Sequence, residues 1–225
     1  MTRQASEILI LDDRFEDLHV LPLEPHLKSR GVDMCAISNV RSTALYRGYQ
    51  GLWEVFEGDL YLVGLMDGQM QPIDSSLIFD GQKLPILAEW FSGRLVVDRG
   101  ERLTYEHMGW GGYSAEQLRL YVENGHIVAK RRFDQIKVLG RRYAKDFEKH
   151  EAFRKQLAAN PDYALRPLGG FTEAGIKALG LTVFEGETFW PPDFTEDEYA
   201  EWVGEMARHC QRPDRPPTGP VSVAA

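Results

Sequence analysis

Cysteine is nearly absent. Cys35 and Cys210 are the only two in 225 residues, and they are too few and too far apart for a C-x-x-C redox pair or a zinc-ligand set. The expectation is two buried thiols in a reducing compartment, with no staple holding the fold. Long apolar runs are missing as well. Nothing approaches the roughly 18 consecutive apolar residues of a membrane-spanning helix, and the opening MTRQASEILILDD lacks the apolar core of a secretory leader. A cytoplasmic protein is therefore expected. The common catalytic signatures are lacking too. There is no G-x-S-x-G turn and no G-x-G-x-x-G loop, and His19, His26, His107, His126, His150 and His209 form no paired-histidine metal spacing. No cofactor and no metal site is expected.

What is present suits a soluble globular chain able to bury a core of its own: 43% hydrophobic, 11% aromatic and 27% charged residues. The net charge of −8 argues against nucleic acid or an anionic membrane as partner. Its distribution is uneven. From Lys130 to Lys155 ten basic residues stand against four acidic ones, whereas from Glu185 to Glu205 there are eight acids and no base. Either these two segments neutralise each other, or one of them is a docking face.

Periodicity divides the chain. EILILDD reads as a buried strand, and VLPLEPHLKSRG as a loop entering a short helix that Gly31 ends. GLWEVFEGDLYLVGL alternates on both sides of Glu57-Gly58-Asp59, a hairpin. SSLIFDG, LPILAEWFSGRLVV and RLTYEHM read as further strands separated by Gly81, Gly93 and Arg99-Gly100. The clearest signal is QLRLYVENGHIVAKRRF, where Asn124-Gly125 supplies the two left-handed positions of a type I′ turn. After Phe133 the period becomes helical, with Ile136, Leu139, Tyr143, Phe147, His150 and Leu157 at multiples of three or four residues. FTEAGIKALG suggests a short helix, and Thr195 with Glu198 a capping box opening a last helix striped by Tyr199, Trp202, Val203, Met206 and Cys210. The expected fold class is α+β: an antiparallel β-rich body over 1–133 (meander, sandwich or partial barrel), C-terminal helices over 134–211 packed on it in the same domain, and a flexible proline-rich tail over 212–225.

Two places invite a chemical reading. Asp12-Asp13 ends a strand as a magnesium-binding pair would, although such a pair is more commonly a solvated turn. TYEHMGWGGYSAEQ, Thr104 to Gln117, joins two strands with a histidine, four large apolar or aromatic side chains and three glycines. It reads as a turn whose aromatics cover the end of a core, or as an active-site loop. Arg47, Glu54, Glu89 and His107 lie among Tyr49, Trp53, Trp90, Phe91, Tyr105 and Trp110, and such polar groups are either hydrogen-bonded to each other or lining a cleft.

Arg47, Gly48, Tyr49, Gly51, Trp53 and Glu54, then Trp90, Phe91 and Gly93, then Tyr105, His107, Met108 and Gly109, then Glu123, Asn124 and Gly125 follow one another in an ordered pattern, RGYxGxWE…LYL, A[DE]WFSG, YxHMG and ENGx[IV]V. The pattern, over residues 42–128, resembles an uncharacterised family of small bacterial proteins. The resemblance implies a shared β fold and a bacterial source, and carries no activity with it.

The leading expectation for function is a non-enzymatic protein-binding module, an immunity protein or other inhibitor that neutralises a toxin. Its partner-binding residues would be Glu196, Asp197, Glu201 and Glu205, which suit a basic cleft. The alternative is an enzyme of hydrolase type, using His107 with Glu54 or Glu89 in a cleft lined by Arg47, Trp53, Trp90, Tyr105 and Trp110.

Overall fold

The computed structural model describes residues 3–38, 42–106, 109–159, 170–181, 183 and 196–213, without the side chains of 142–147, 150, 157, 158 and 196. Two strands open the chain, β1 (Glu7–Leu11) and β2 (Arg14–Leu18), followed by helices α1 (Glu24–Arg30) and α2 (Met34–Ile37). The hairpin of β3 (Gln50–Phe56) and β4 (Asp59–Met66) leads to a 3-10 turn at Ser75–Leu77 and to the two-residue β5 (Ile86–Leu87). Three long strands follow, β6 (Gly93–Arg102), β7 (Ser114–Glu123) and β8 (His126–Asp134). The rest is helical: α3 (Gln135–Ala158), α4 (Glu173–Leu179) and α5 (Glu196–Arg208). The molecule is an α+β protein with one eight-stranded, mostly antiparallel sheet.

The strand order is β3-β1-β2-β6-β7-β8-β4-β5, and β3 also pairs with β4, so seven strands form a closed ring with β5 added beside β4. A meander cannot produce this order. β1 pairs with β3 in parallel, Ile8 beside Leu52 and Leu9 beside Trp53, and a parallel pair needs a crossover, which α1 and α2 supply here. β2 was not expected from sequence. RFEDL follows β1 after only Asp12 and Asp13, both in the left-handed region at φ 53° and 61°. Two such residues make the tight turn that matches strand twist, so the aspartates turn a hairpin.

Two expected strands and one expected break are corrected. SSLIFDG is no strand: Asp74 accepts a hydrogen bond from Ser76 N (3.0 Å) and starts the 3-10 turn, and Asp80-Gly81 closes the segment with both φ positive. Arg99-Gly100 does not separate strands, because β6 runs through it to Arg102 with Gly100 at φ 74°. Of RLTYEHM, the described residues 102–106 contribute only the end of β6 and an isolated bridge between Thr104 and Phe171.

The chain falls into two compact units. The larger comprises residues 4–97, 119–131 and 196–225. Its β1 is buried along its whole length, because successive residues face opposite ways and both faces are covered. Ile8 and Ile10 join Leu52, Val63, Met66 and Met206 of α5 in one apolar cluster, while Leu9 faces the side of Trp53. α5 is held there by its stripe, with Trp202 and Cys210 packed on the same cluster. Beyond it Gln211 N donates to Val63 O (2.6 Å), and Gly64 leaves room for the His209 carbonyl.

The smaller unit holds residues 1–3, 98–118 and 132–195, with α3 and α4. Thr172 caps α4, its hydroxyl accepting from Gly175 N (3.0 Å) and donating to the Arg102 carbonyl. Gly175 sits against the Leu103 backbone so closely that a methyl group there would overlap it.

The β7–β8 turn is built into the larger unit. Asn124 and Gly125 have φ 48° and 83°, Gly125 N donates to Phe91 O (2.9 Å), Leu60 N donates to Gly125 O (2.8 Å), and His126 Nδ1 lies 2.6 Å from Asp59 Oδ1 where β8 meets β4. A Cβ on Gly125 would come within 3.0 Å of Ala88 O. Replacing Gly125 by Val combines a disfavoured φ with this close contact. The expected loss of stability is about 1–3 kcal/mol, read from denaturant unfolding, against a few tenths for Asn124→Asp.

Candidate functional site

Of the polar groups expected among the aromatics, Arg47 bonds to a residue that sequence pattern did not single out. Glu7, first in β1, faces the same side as Leu9 and Leu11 and is fully buried. Its Oε1 accepts from Arg47 Nε (3.1 Å) and lies 3.0 Å from Arg47 Nη2. Its Oε2 accepts from Gly51 N and from Trp53 Nε1, both at 2.9 Å. Gly51 is required, since a Cβ there would overlap Oε2. The Arg47 guanidinium also lies 5.5 Å from the centre of the Tyr49 ring. Arg47 is 7% exposed, Tyr49 1% and Trp53 0%, so the signature RGYQGLW serves an interior carboxylate. Arg47 and Trp53 are hydrogen-bonded to the same partner.

Burial pushes the Glu7 carboxyl up from 4.5 to about 7, with Arg47, Trp53 and Gly51 pulling the other way. Burial and the nearby Glu7 raise the Tyr49 hydroxyl as well. Three hydrogen bonds and the ion pair with Arg47 engage both carboxylate oxygens within the fold, so Glu7 fastens β1, β3 and the Arg47 loop together. The signal for it was an acid at the inward position of an otherwise apolar strand.

Trp90 lies at the edge of this region, half-buried. Its Nε1 donates to Pro22 O (3.0 Å), and its ring is 5.1 Å from Phe79, 4.9 Å from His26 and 6.5 Å from Trp53. His26 is stacked on Phe79 at 4.5 Å. This is aromatic packing between α1 and the segment around β5.

His107 and Met108 lie outside the described residues. The loop that carries them is closed at its base: Leu103 N donates to Tyr113 O (2.8 Å), Tyr113 N to Thr104 Oγ1 (3.0 Å), and both Glu106 N (3.1 Å) and Arg102 Nη1 (2.9 Å) to Gly111 O. Gly109, Gly111 and Gly112 all have positive φ, and a Cβ on Gly112 would overlap Thr104 O. Tyr105 and Trp110 are half-buried in the smaller unit. Of the two carboxylates named beside His107, Glu89 is exposed and Glu54 is buried on β3 of the larger unit.

Glu54 has a different partner. Arg212, just after α5, places Nε 3.5 Å from Glu54 Oε1 and Nη1 3.4 Å from Asp13 Oδ1, and Asp12 pairs with Lys130 at 3.1 Å. The Asp12-Asp13 turn is thus met by cations of the chain itself. Among the described residues no group of three or more His, Cys, Asp or Glu could hold a metal ion. Cys35 and Cys210 are both free thiols, and burial pushes Cys210 up to about 11, which keeps it protonated and unreactive at neutral pH.

On α5 Trp202, Met206 and Cys210 of the expected stripe turn inward, whereas Tyr199 is 42% exposed. Asp197 and Glu201 are exposed, Glu205 is half-buried, and the Glu196 side chain lies outside the description. Tyr199 bridges the helix to β2, its hydroxyl donating to Phe15 O at 3.1 Å, and Trp202 packs edge-on against Phe15 at 6.2 Å. No described helix is long and apolar enough to cross a membrane. No family model, no curated protein and no solved structure matches the chain.

The Glu7 carboxyl sets a pH dependence. Folded, it keeps its proton up to about pH 7; unfolded, it releases it near 4.5. Between those values the folded state binds more protons, so this group's contribution falls as pH rises through the window and is constant above it. Denaturant unfolding of wild type and Glu7→Gln at pH 5 and pH 8 should show the wild type losing stability relative to the variant at the higher pH. Parallel profiles would rule the dependence out.

Proposed function

We propose that the protein is a binding module which presents the acidic face of α5 to a basic partner, acting as an inhibitor or immunity protein and not as a catalyst. The observation that carries this reading is the division of α5 into two faces. Met206, Trp202 and Cys210 fix the helix to the strands, while Asp197 and Glu201 stand exposed one turn apart on its other side. A rigid helix holding carboxylates in a row is suited to meet a cleft lined by Lys and Arg, and the long reach of like charges steers the encounter. The nearest carboxyls to an enzymatic reading are differently engaged: Glu7 by three hydrogen-bond donors and Glu54 by Arg212.

The test begins with the gene next to this one, whose product, if a basic secreted toxin, is the partner to purify. Asp197→Lys with Glu201→Lys should slow association about tenfold or more at low salt, with the difference shrinking as salt rises. The melting temperature should hardly move, because exposed substitutions of this kind stay within about 0.5 kcal/mol. Unchanged association together with a large loss of stability would show that the acids serve the fold alone.

A further inference from the structure

The acidic helix has a counterpart on the same chain. In α3, Lys137, Arg141 and Lys149 are exposed, and they fall on one four-residue row that Lys145 shares in the sequence and that ends at Phe153. Positions four apart lie above one another on a helix, about 6 Å apart along its axis. Lys137 is paired locally with Asp134 at 3.1 Å, but Arg141 and Lys149 form no ion pair with a described residue. The same face carries two large apolar side chains, Val138 at 52% and Phe153 at 57% exposed. The opposite side of α3 is the packed one, with Leu139 and Arg154 buried.

We infer that this face of α3 docks the acidic face of α5 on a second copy of the chain. The acids on α5 repeat at the same interval, Asp197, Glu201 and Glu205, so cations and carboxylates on two crossing helices meet in register over about 12 Å. Val138 lies beside the basic row and Phe153 extends it, which gives the contact apolar area that a polyphosphate would not use. The net charge of −8 further opposes a nucleic acid. A like-charged row on one surface and its opposite on another is the arrangement that favours association between identical chains, since every copy brings both halves. Because the contact uses Asp197 and Glu201, a basic partner at α5 would compete with it, so partner binding would release single chains.

The inference concerns the purified chain alone and does not rest on the proposed function. Light scattering coupled to size exclusion, run in low salt and again in about 1 M NaCl where charges are screened beyond about 3 Å, should give a mass above the 25.7 kDa chain in the first and the single chain in the second. Arg141→Glu with Lys149→Glu cancels the net positive charge of α3, and Asp197→Lys with Glu201→Lys cancels the net negative charge of α5. Each variant alone should be a single chain, and an equimolar mixture of the two should recover the wild-type mass, because each supplies the face the other has inverted. A single-chain wild type in low salt overturns the inference, as does a mixture that fails to associate. A third overturning result is a melting temperature lowered in both variants and restored when all four changes are combined in one chain, which would place the contact within a molecule. The proposed function survives any of these, since its readout is association with a different protein.

Discussion

A carboxylate in the interior, with no water around it, is tolerable only if donors meet it on every side. Glu7 meets that condition with three hydrogen bonds, from Arg47 Nε, the Gly51 backbone and the Trp53 indole, and with the charge of the Arg47 guanidinium beside it. The arrangement fixes the register of β1 beside β3, because a shift of one residue would turn Glu7 to the apolar cluster of Ile8 and Ile10. It also dictates glycine at position 51. The parallel β1–β3 pair, around which the ring of strands closes, is thus tied by one ionic cluster as well as by its own ladder.

The other face of the same strands explains the end of the chain. Ile8, Ile10, Leu52 and Val63 need cover, and α5 returns from far along the sequence to supply Met206, Trp202 and Cys210. The following residues continue the attachment, with Gln211 on the Val63 carbonyl and Arg212 between Glu54 and Asp13. Anchoring one side of α5 so firmly determines which of its residues face outward. Asp197 and Glu201 are exposed because they lie across the helix from the residues that pack, and this link from packing to surface chemistry is what the functional proposal builds on.

Strong local signals made much of this legible in the sequence. Asn124-Gly125 announced its hairpin, Glu57-Gly58 another, Gly31 the end of α1, and the three- and four-residue spacing announced α3 and α5. What escaped depended on partners distant in sequence. β2 follows β1 by only two residues and has no alternation to reveal it, its fate being set by two left-handed aspartates. Gly100 reads as a breaker, yet a strand carries it. RGYQGLW looked like a cleft because its arginine and tryptophan are polar groups among aromatics, and nothing local revealed that Glu7, forty residues earlier, takes their hydrogen bonds. The faces of α5 could be read from its period, whereas the Arg212 bridge to Glu54 and Asp13 could not.

Glu7 and Arg47 act as one unit holding β1 to β3, and a double-mutant cycle tests this most directly. Unfolding free energies would be measured at pH 8, where the carboxyl is ionised, for wild type, Glu7→Gln, Arg47→Met and the double variant. Each single change strands a buried polar group and should cost about 3 kcal/mol or more, while the double should lose much less than their sum, a coupling of about 2 kcal/mol or more. Strictly additive losses would contradict the account.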